Sequence, residues 1–235
     1  MMKKILEDRM GKSNLGWLES RFHFSFADYI NHDNVNFGVL RVLNDDTIHP
    51  LSGFDTHPHS NMEIISYVVQ GEITHKDSMG NSETLKRGEV QYLSAGTGIT
   101  HSEHNAHQNE DLRLLQIWVY PPKNNLPTLY GSHKYKEEES NNKILNIVSS
   151  QSGDAKITIY QDINIYVSKI DKDTKQEFDI LKGRQVYFVQ IEGTSLVNGI
   201  ELNDADAMEI VHENKIEIYA LNDSHVLFID MKEEN

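Results

Sequence analysis

Apolar residues in this chain come in short runs rich in strand formers, broken by turn chemistry, and no long window shows them at helical spacing. Phe22, Phe24 and Phe26 alternate in RFHFSFADY, and FGVLRVL, EIISYVV, VQYL and LRLLQIWVY follow. Between them stand Asn44-Asp45-Asp46, DSMGN at 77–81 and KRGE at 86–89. Strand-length runs with such punctuation predict an all-β sandwich or barrel. The first series ends at Tyr120. The stretch that follows holds three prolines, polar residues and a charge run, and reads as a connector over 123–142. A short helix or strand within it packs on a neighbour, and KEEES is a solvated face. A second series starts near Lys143 with ILNIVSS, AKITIYQD, INIYVSKI, QVYFVQIEG and HVLFIDM. Two β domains are expected, over 1–122 and 143–235. A length of 235 residues accommodates two small domains. KRGEVQYL at 86–93 and LNDADAMEIV at 202–211 are weakly alike, each a turn leading into a strand.

Composition removes several classes of function. Cysteine is absent, which excludes disulfides, thiolate zinc sites, iron–sulfur clusters and cysteine nucleophiles. No apolar run approaches 18 residues, so no membrane-crossing helix is expected. The opening MMKKILEDRMGKSN lacks the apolar stretch of a secretory signal, and a cytoplasmic location is expected. Acidic residues outnumber basic ones 36 to 22, for a net charge of −14. That field repels nucleic acid and anionic membranes, both of which need clustered Lys and Arg.

Histidine is the unusual entry in the composition. Seven of the twelve fall between His49 and His107. With no thiolate available, a metal site must use imidazole and carboxylate, a set that suits iron, copper, nickel, manganese or zinc. His57-Pro58-His59 places two imidazoles at i and i+2, which share one face of a strand. Pro58 cannot donate to a ladder, so the motif belongs at a strand start or edge. His101 and Glu103 have the same spacing in AGTGITHSEHN. If the two segments are neighbours, three imidazoles and one carboxylate meet at one point. Continuing the alternation adds Asn61 and Glu63 to the His57 face. Glu63 is then either a ligand or, by preference, a partner for a ligating imidazole's other N–H.

Two stretches carry a family resemblance. GFDTHPHSNMEIISYVVQGEITHKDSMGN resembles the first motif of the pirin family within the cupins, and RGEVQYLSAGTGITHSEHN resembles the second. GWLESRFHFSFADY, RVLNDDTI and LRLLQIWVYPP are also similar to bacterial pirin-like proteins, so the likeness is strong over residues 12–122. It implies a bicupin of two jelly-roll-like β-barrels, the second of them degenerate. It implies one divalent metal held in the first domain by His57, His59, His101 and Glu103. Iron is the first expectation, with nickel, cobalt, manganese, copper or zinc as alternatives. The general cupin motif takes its carboxylate from the position of Glu63, with which Glu103 here competes.

The resemblance further implies an activity like that of the quercetinases, flavonol dioxygenases that open the quercetin heterocycle with O2 and release carbon monoxide. Glu103 would take the proton of the flavonol 3-hydroxyl. The alternative is a redox-sensing binding module that acts on a protein partner without turnover, as eukaryotic pirins resemble. Phe54, Met62 and Trp118 are candidates to hold a flat ring, though plain core placement suits each. Gly96 and Gly98 are expected at positive φ or at a close backbone approach. His75 is expected at the surface, His104 out of phase with the ligands and His107 in a loop.

Overall fold

The computed structural model describes residues 1–233 and contains two compact units. One holds residues 11–135 with 159–161, and the other holds 1–10, 136–158 and 162 onward. The strand β1 (Met2–Ile5) therefore belongs with the second unit, where its backbone pairs antiparallel along residues 207–210.

The first unit contains β2 (Gly11–Asn14), β3 (Leu18–Phe22), β4 (Leu40–Ile48), β5 (Ser52–His59), β6 (Glu63–Gln70) and β7 (Glu72–Asp77). It continues with β8 (Ser82–Lys86), β9 (Val90–Ser94), β10 (Ile99–Asn105), β11 (Leu112–Val119) and β12 (Leu129–His133). A seven-stranded sheet has the order β12-β9-β6-β11-β4-β3-β2, and a four-stranded sheet has the order β5-β10-β7-β8. The barrel expectation is corrected accordingly. The two sheets are separate ladders with open edges, so the unit is a jelly-roll-like sandwich rather than a closed barrel. Within the stretch expected as a connector, β12 pairs with β9 and Glu137–Glu139 form a 3-10 turn.

The inner faces supply the core. Leu18, Ile48, Val68, Ile73, Leu85, Leu112 and Leu114 form one buried cluster, and Ile64, Leu93, Ala95 and Ile99 form another. Where a strand contributes two of these residues, as β11 does with Leu112 and Leu114, they stand an even number of positions apart, as the pleat requires. Burying about seven such side chains is worth on the order of 10 kcal/mol before chain entropy is counted.

The second unit contains β13 (Leu145–Ser150), β14 (Ile157–Ile159, all but its last residue), β15 (Ile163–Ile170), β16 (Lys175–Asp179) and β17 (Arg184–Glu192). After them come β18 (Ser195–Val197), β19 (Ile200–Leu202), β20 (Ala207–Ile210), β21 (Lys215–Ala220) and β22 (Ser224–Lys232). Its sheets run β1-β20-β17-β22-β15-β13-β14 and β16-β21-β18-β19. At their four central places the two seven-strand orders match in sequence order: β9 corresponds to β20, β6 to β17, β11 to β22 and β4 to β15. KRGEVQYL and LNDADAMEIV thus lead into corresponding strands, β9 and β20.

Candidate metal centre

Strand β5 is an edge strand, so Pro58 costs it no ladder on its open side. Its partner β10 runs antiparallel with His101 opposite His57 and Ile99 opposite His59. Period-2 alternation then points His57, His59 and His101 to one place. Their ring centroids are 4.8 Å (His57–His59), 4.5 Å (His57–His101) and 4.9 Å (His59–His101) apart. One nitrogen from each ring lies within 4.8 Å of the others. The register slips between His101 and Glu103, where Phe54 stands opposite Glu103. This bulge re-aims the strand, so that Phe54 and His57 both face the site despite their odd spacing.

The tautomers suit a metal. His57 Nδ1 is 2.7 Å from the Asp55 carbonyl and must carry the hydrogen, which leaves Nε2 with the lone pair. His59 Nε2 and both nitrogens of His101 are buried without a partner. Burial, reinforced by His57, lowers the His59 pKa to about 4, and burial with its histidine neighbours lowers that of His101 to about 3. Both rings are therefore neutral at pH 7 with lone pairs available. Orphaned imidazole nitrogens facing one another are unfavourable unless something fills the gap. A first-row divalent ion fits that donor set.

Glu103 is buried beside this cluster. Its Oε1 accepts from Gln91 Nε2 at 2.6 Å and lies 3.2 Å from Ser66 Oγ, and its Oε2 accepts from Gln116 Nε2 at 2.8 Å. These donors come from a single transverse row of the large sheet. Asn44 pairs with Gln116, Gln116 with Ser66 and Ser66 with Gln91 across β4, β11, β6 and β9. Three of these four adjacent polar residues, Ser66, Gln91 and Gln116, form a cradle for one carboxylate. Burial raises the Glu103 pKa to about 7 in spite of those hydrogen bonds. One oxygen of Glu103 lies within 4.8 Å of a nitrogen on His101 and one on His75.

Three expectations need correcting. Glu63 is fully buried but faces away from the imidazoles. Its Oε1 takes the Tyr92 hydroxyl at 2.5 Å and the Tyr160 N–H at 2.8 Å, and its Oε2 takes the Gln161 N–H at 2.8 Å. It anchors the 159–161 segment, and neither the ligand role nor the expected role as partner of a ligating imidazole has a geometric basis. The cause is Asn61, whose φ of 51° breaks the alternation between β5 and β6. His75 is the third correction: it is buried, not at the surface. In β7 it stands opposite Glu103, its ring stacks on Tyr130, and its Nε2 is 3.1 Å from Asp77 Oδ2.

The remaining residues fall as follows. Gly96 and Gly98 both have positive φ, and a Cβ at Gly96 would come 2.2 Å from the Leu126 carbonyl. His104 is close to Asp55 on the outer face, and His107 Nδ1 accepts loop N–H groups from Asn109 and Glu110. A cavity of about 500 Å³ opens onto the imidazoles and Glu103, walled by Phe22, Phe26, Tyr29, Phe54 and Trp118. Trp118 meets His59 edge-on at 4.9 Å. Met62 instead packs into the Ile64 cluster. Sequence reasoning missed Ser66, Gln91 and Gln116, because only sheet register brings the three together.

A pair of jelly-roll-like units, one of them carrying histidines and a glutamate on paired neighbouring strands, defines a bicupin. The family model for pirin matches residues 4–119, and that for the quercetinase C-terminal cupin domain matches residues 146–231. The chain is 38% identical over 221 residues to quercetin 2,3-dioxygenase of Escherichia coli K12, covering 94% of each chain. It is 38% identical over 224 residues to a pirin-like protein of Caulobacter vibrioides, covering 95% of this chain and 96% of that one. The crystal structure of the bacterial pirin YhhW from Escherichia coli in complex with nickel(II) is similar over 100% of both chains, with a TM-score of 0.94 and 36% identity. The chain belongs to the pirin family.

Proposed function

We propose that this protein is a pirin-type dioxygenase that opens a flavonol such as quercetin with O2 at one metal ion held by His57, His59, His101 and Glu103. The observation that carries the reading is the convergence of three imidazoles, those of His59 and His101 with unpartnered nitrogens, on the wall of an aromatic cavity. A relative named quercetin 2,3-dioxygenase at 38% identity supports the same reading. When bound, a divalent transition metal supplies a centre where O2 and an oxygen of the substrate are activated.

The chain's own residues do the rest. Hydrogen bonding to the Asp55 carbonyl orients His57 before any ion arrives. The aromatic wall keeps water out and accepts a flat ring system, with Phe54 and Trp118 nearest the histidines. Glu103 takes the proton of the flavonol 3-hydroxyl, and a pKa of about 7 suits a base working at neutral pH. Gln91 and Gln116 hold its carboxylate while the proton moves. Both oxygens of O2 enter the opened product and one ring carbon leaves as carbon monoxide.

The test is a substrate screen in an oxygen electrode with protein loaded separately with iron(II), nickel(II), cobalt(II) and manganese(II). Oxygen uptake equal to flavonol consumed, with carbon monoxide released, is the expected result. No uptake with any fully loaded form would contradict the enzymatic reading. Redox-dependent association with a protein partner, seen without turnover, would replace it.

A further inference from the structure

Strand β10 runs between β5 and β7, so His101 has the His57 strand on one side and His75 on the other. Both His101 nitrogens and His75 Nδ1 are buried without a hydrogen-bond partner. The two ring centroids are 5.3 Å apart, and one nitrogen of each ring lies within 4.8 Å of the other. Nothing in the function proposed above uses His75.

Its other nitrogen is not free. His75 Nε2 is 3.1 Å from Asp77 Oδ2, and Asp77 is itself fixed by its own turn. Asp77 Oδ1 accepts the N–H of Met79 at 2.9 Å and of Asn81 at 3.0 Å, and Oδ2 accepts Asn81 Nδ2 at 2.8 Å. A carboxylate surrounded by donors is in its acceptor-only form. His75 Nε2 therefore carries the hydrogen, and a neutral imidazole has only one. His75 Nδ1 is left as an acceptor. Tyr130 stacks on the ring at 4.8 Å with an interplanar angle of 18°, and its hydroxyl is held by Glu83, so the ring plane is set as well.

A metal-bound imidazole uses one nitrogen for the ion and presents an N–H at the other, which needs an acceptor. We propose that His75 is the positioning residue for His101: its Nδ1 accepts the His101 N–H that faces away from the ion, and Asp77 fixes the tautomer that allows this. The resulting series is carboxylate, imidazole, imidazole, metal. It rests on His101 being a ligand, as proposed above.

Cobalt(II) is the probe, with affinity measured by competition against a chelator and coordination read from the visible absorption spectrum. His75→Leu removes the acceptor and is expected to weaken cobalt binding about 10–100-fold and to shift the spectrum. His75→Asn keeps an acceptor oxygen at the place of Nδ1 and stays within a few-fold of the unaltered protein. Asp77→Asn is the sharper variant. Its oxygen is held by two backbone N–H groups, so its new NH2 meets His75 Nε2. That drives the hydrogen to Nδ1, and affinity falls although no heavy atom is lost.

Imidazole 15N shifts of the metal-free protein report the tautomer directly, and an unprotonated Nδ1 is expected. Should His75→Leu fail to fold, Asp77→Asn and the 15N shifts decide. Unchanged affinity and spectrum in both variants would overturn the proposal. Equal losses in His75→Asn and His75→Leu would assign the residue to packing and overturn it too. If the unaltered protein binds no cobalt, the metal centre fails and this role fails with it. Normal binding with insensitive variants removes the His75 role alone.

Discussion

Burial raises the Glu103 carboxyl from 4.5 to about 7, and this has consequences for both stability and chemistry. A folded-state pKa above the unfolded one means that the group's contribution to stability is complete below pH 4.5 and is lost as pH rises through about 7. In metal-free protein, Glu103→Gln should therefore gain stability relative to the unaltered chain across that window, by up to about 3 kcal/mol, and level off above it. Denaturant titrations of chelator-treated protein between those limits check the sign; a difference independent of pH would contradict it. In loaded protein the same variant should keep some metal, since glutamine retains a coordinating oxygen. Turnover per bound metal should fall on the order of 10²–10⁴-fold, because the amide cannot take the substrate proton. Full activity per metal would remove the base role.

At the scale of the element, the pairing of β5 with β10 brings the centre together. His59→Ala and His101→Ala should each abolish metal binding while the cooperative unfolding transition survives, because apolar clusters elsewhere in the sandwich hold the fold. Global unfolding on chelation would contradict this. Glu63→Gln should act oppositely. It puts an NH2 against one of three donors and costs about 1–3 kcal/mol of stability. Metal content should stay unchanged, and metal loss would restore Glu63 to the site. The His57, His59 and His101 convergence was legible in the sequence, because i, i+2 spacing needs only an extended backbone. The Glu63 alternation misled because a single residue, Asn61, leaves the extended region. Ser66, Gln91 and Gln116 stand singly in three apolar strands, and no local pattern marks them as one row. His75 misled for a related reason: a strand flanked by turns shows two faces, and only its neighbour β10 decides which is buried.

At the scale of the whole molecule, the order of the central strands repeats while the chemistry does not. The second-unit strands matching β5 and β10 are β16 and β21, and their inward side chains are Phe178, Ile216 and Ile218. Where the first unit carries its polar row, β20, β17, β22 and β15 place Met208, Phe188, Phe228 and Tyr166 in register. Phe188 and Phe228 stack at 5.9 Å within the second unit's apolar core. Among the described residues, His212 lies beside Glu233 and His225 beside Glu192, and neither is in a metal-ligating cluster. Elemental analysis should therefore give one metal per chain, and two would contradict the account. The net charge of −14 predicts no gel-shift with duplex DNA at about 0.15 M salt, and low-micromolar binding would overturn that expectation. The central claim is that one metal, held in the first unit, carries flavonol oxygenation. Oxygen uptake with quercetin, measured against bound metal across a loading series, tests it most directly. Uptake should rise in proportion to occupancy, consume one O2 per flavonol, and vanish in His101→Ala. A fully loaded protein that leaves both oxygen and flavonol untouched would contradict it.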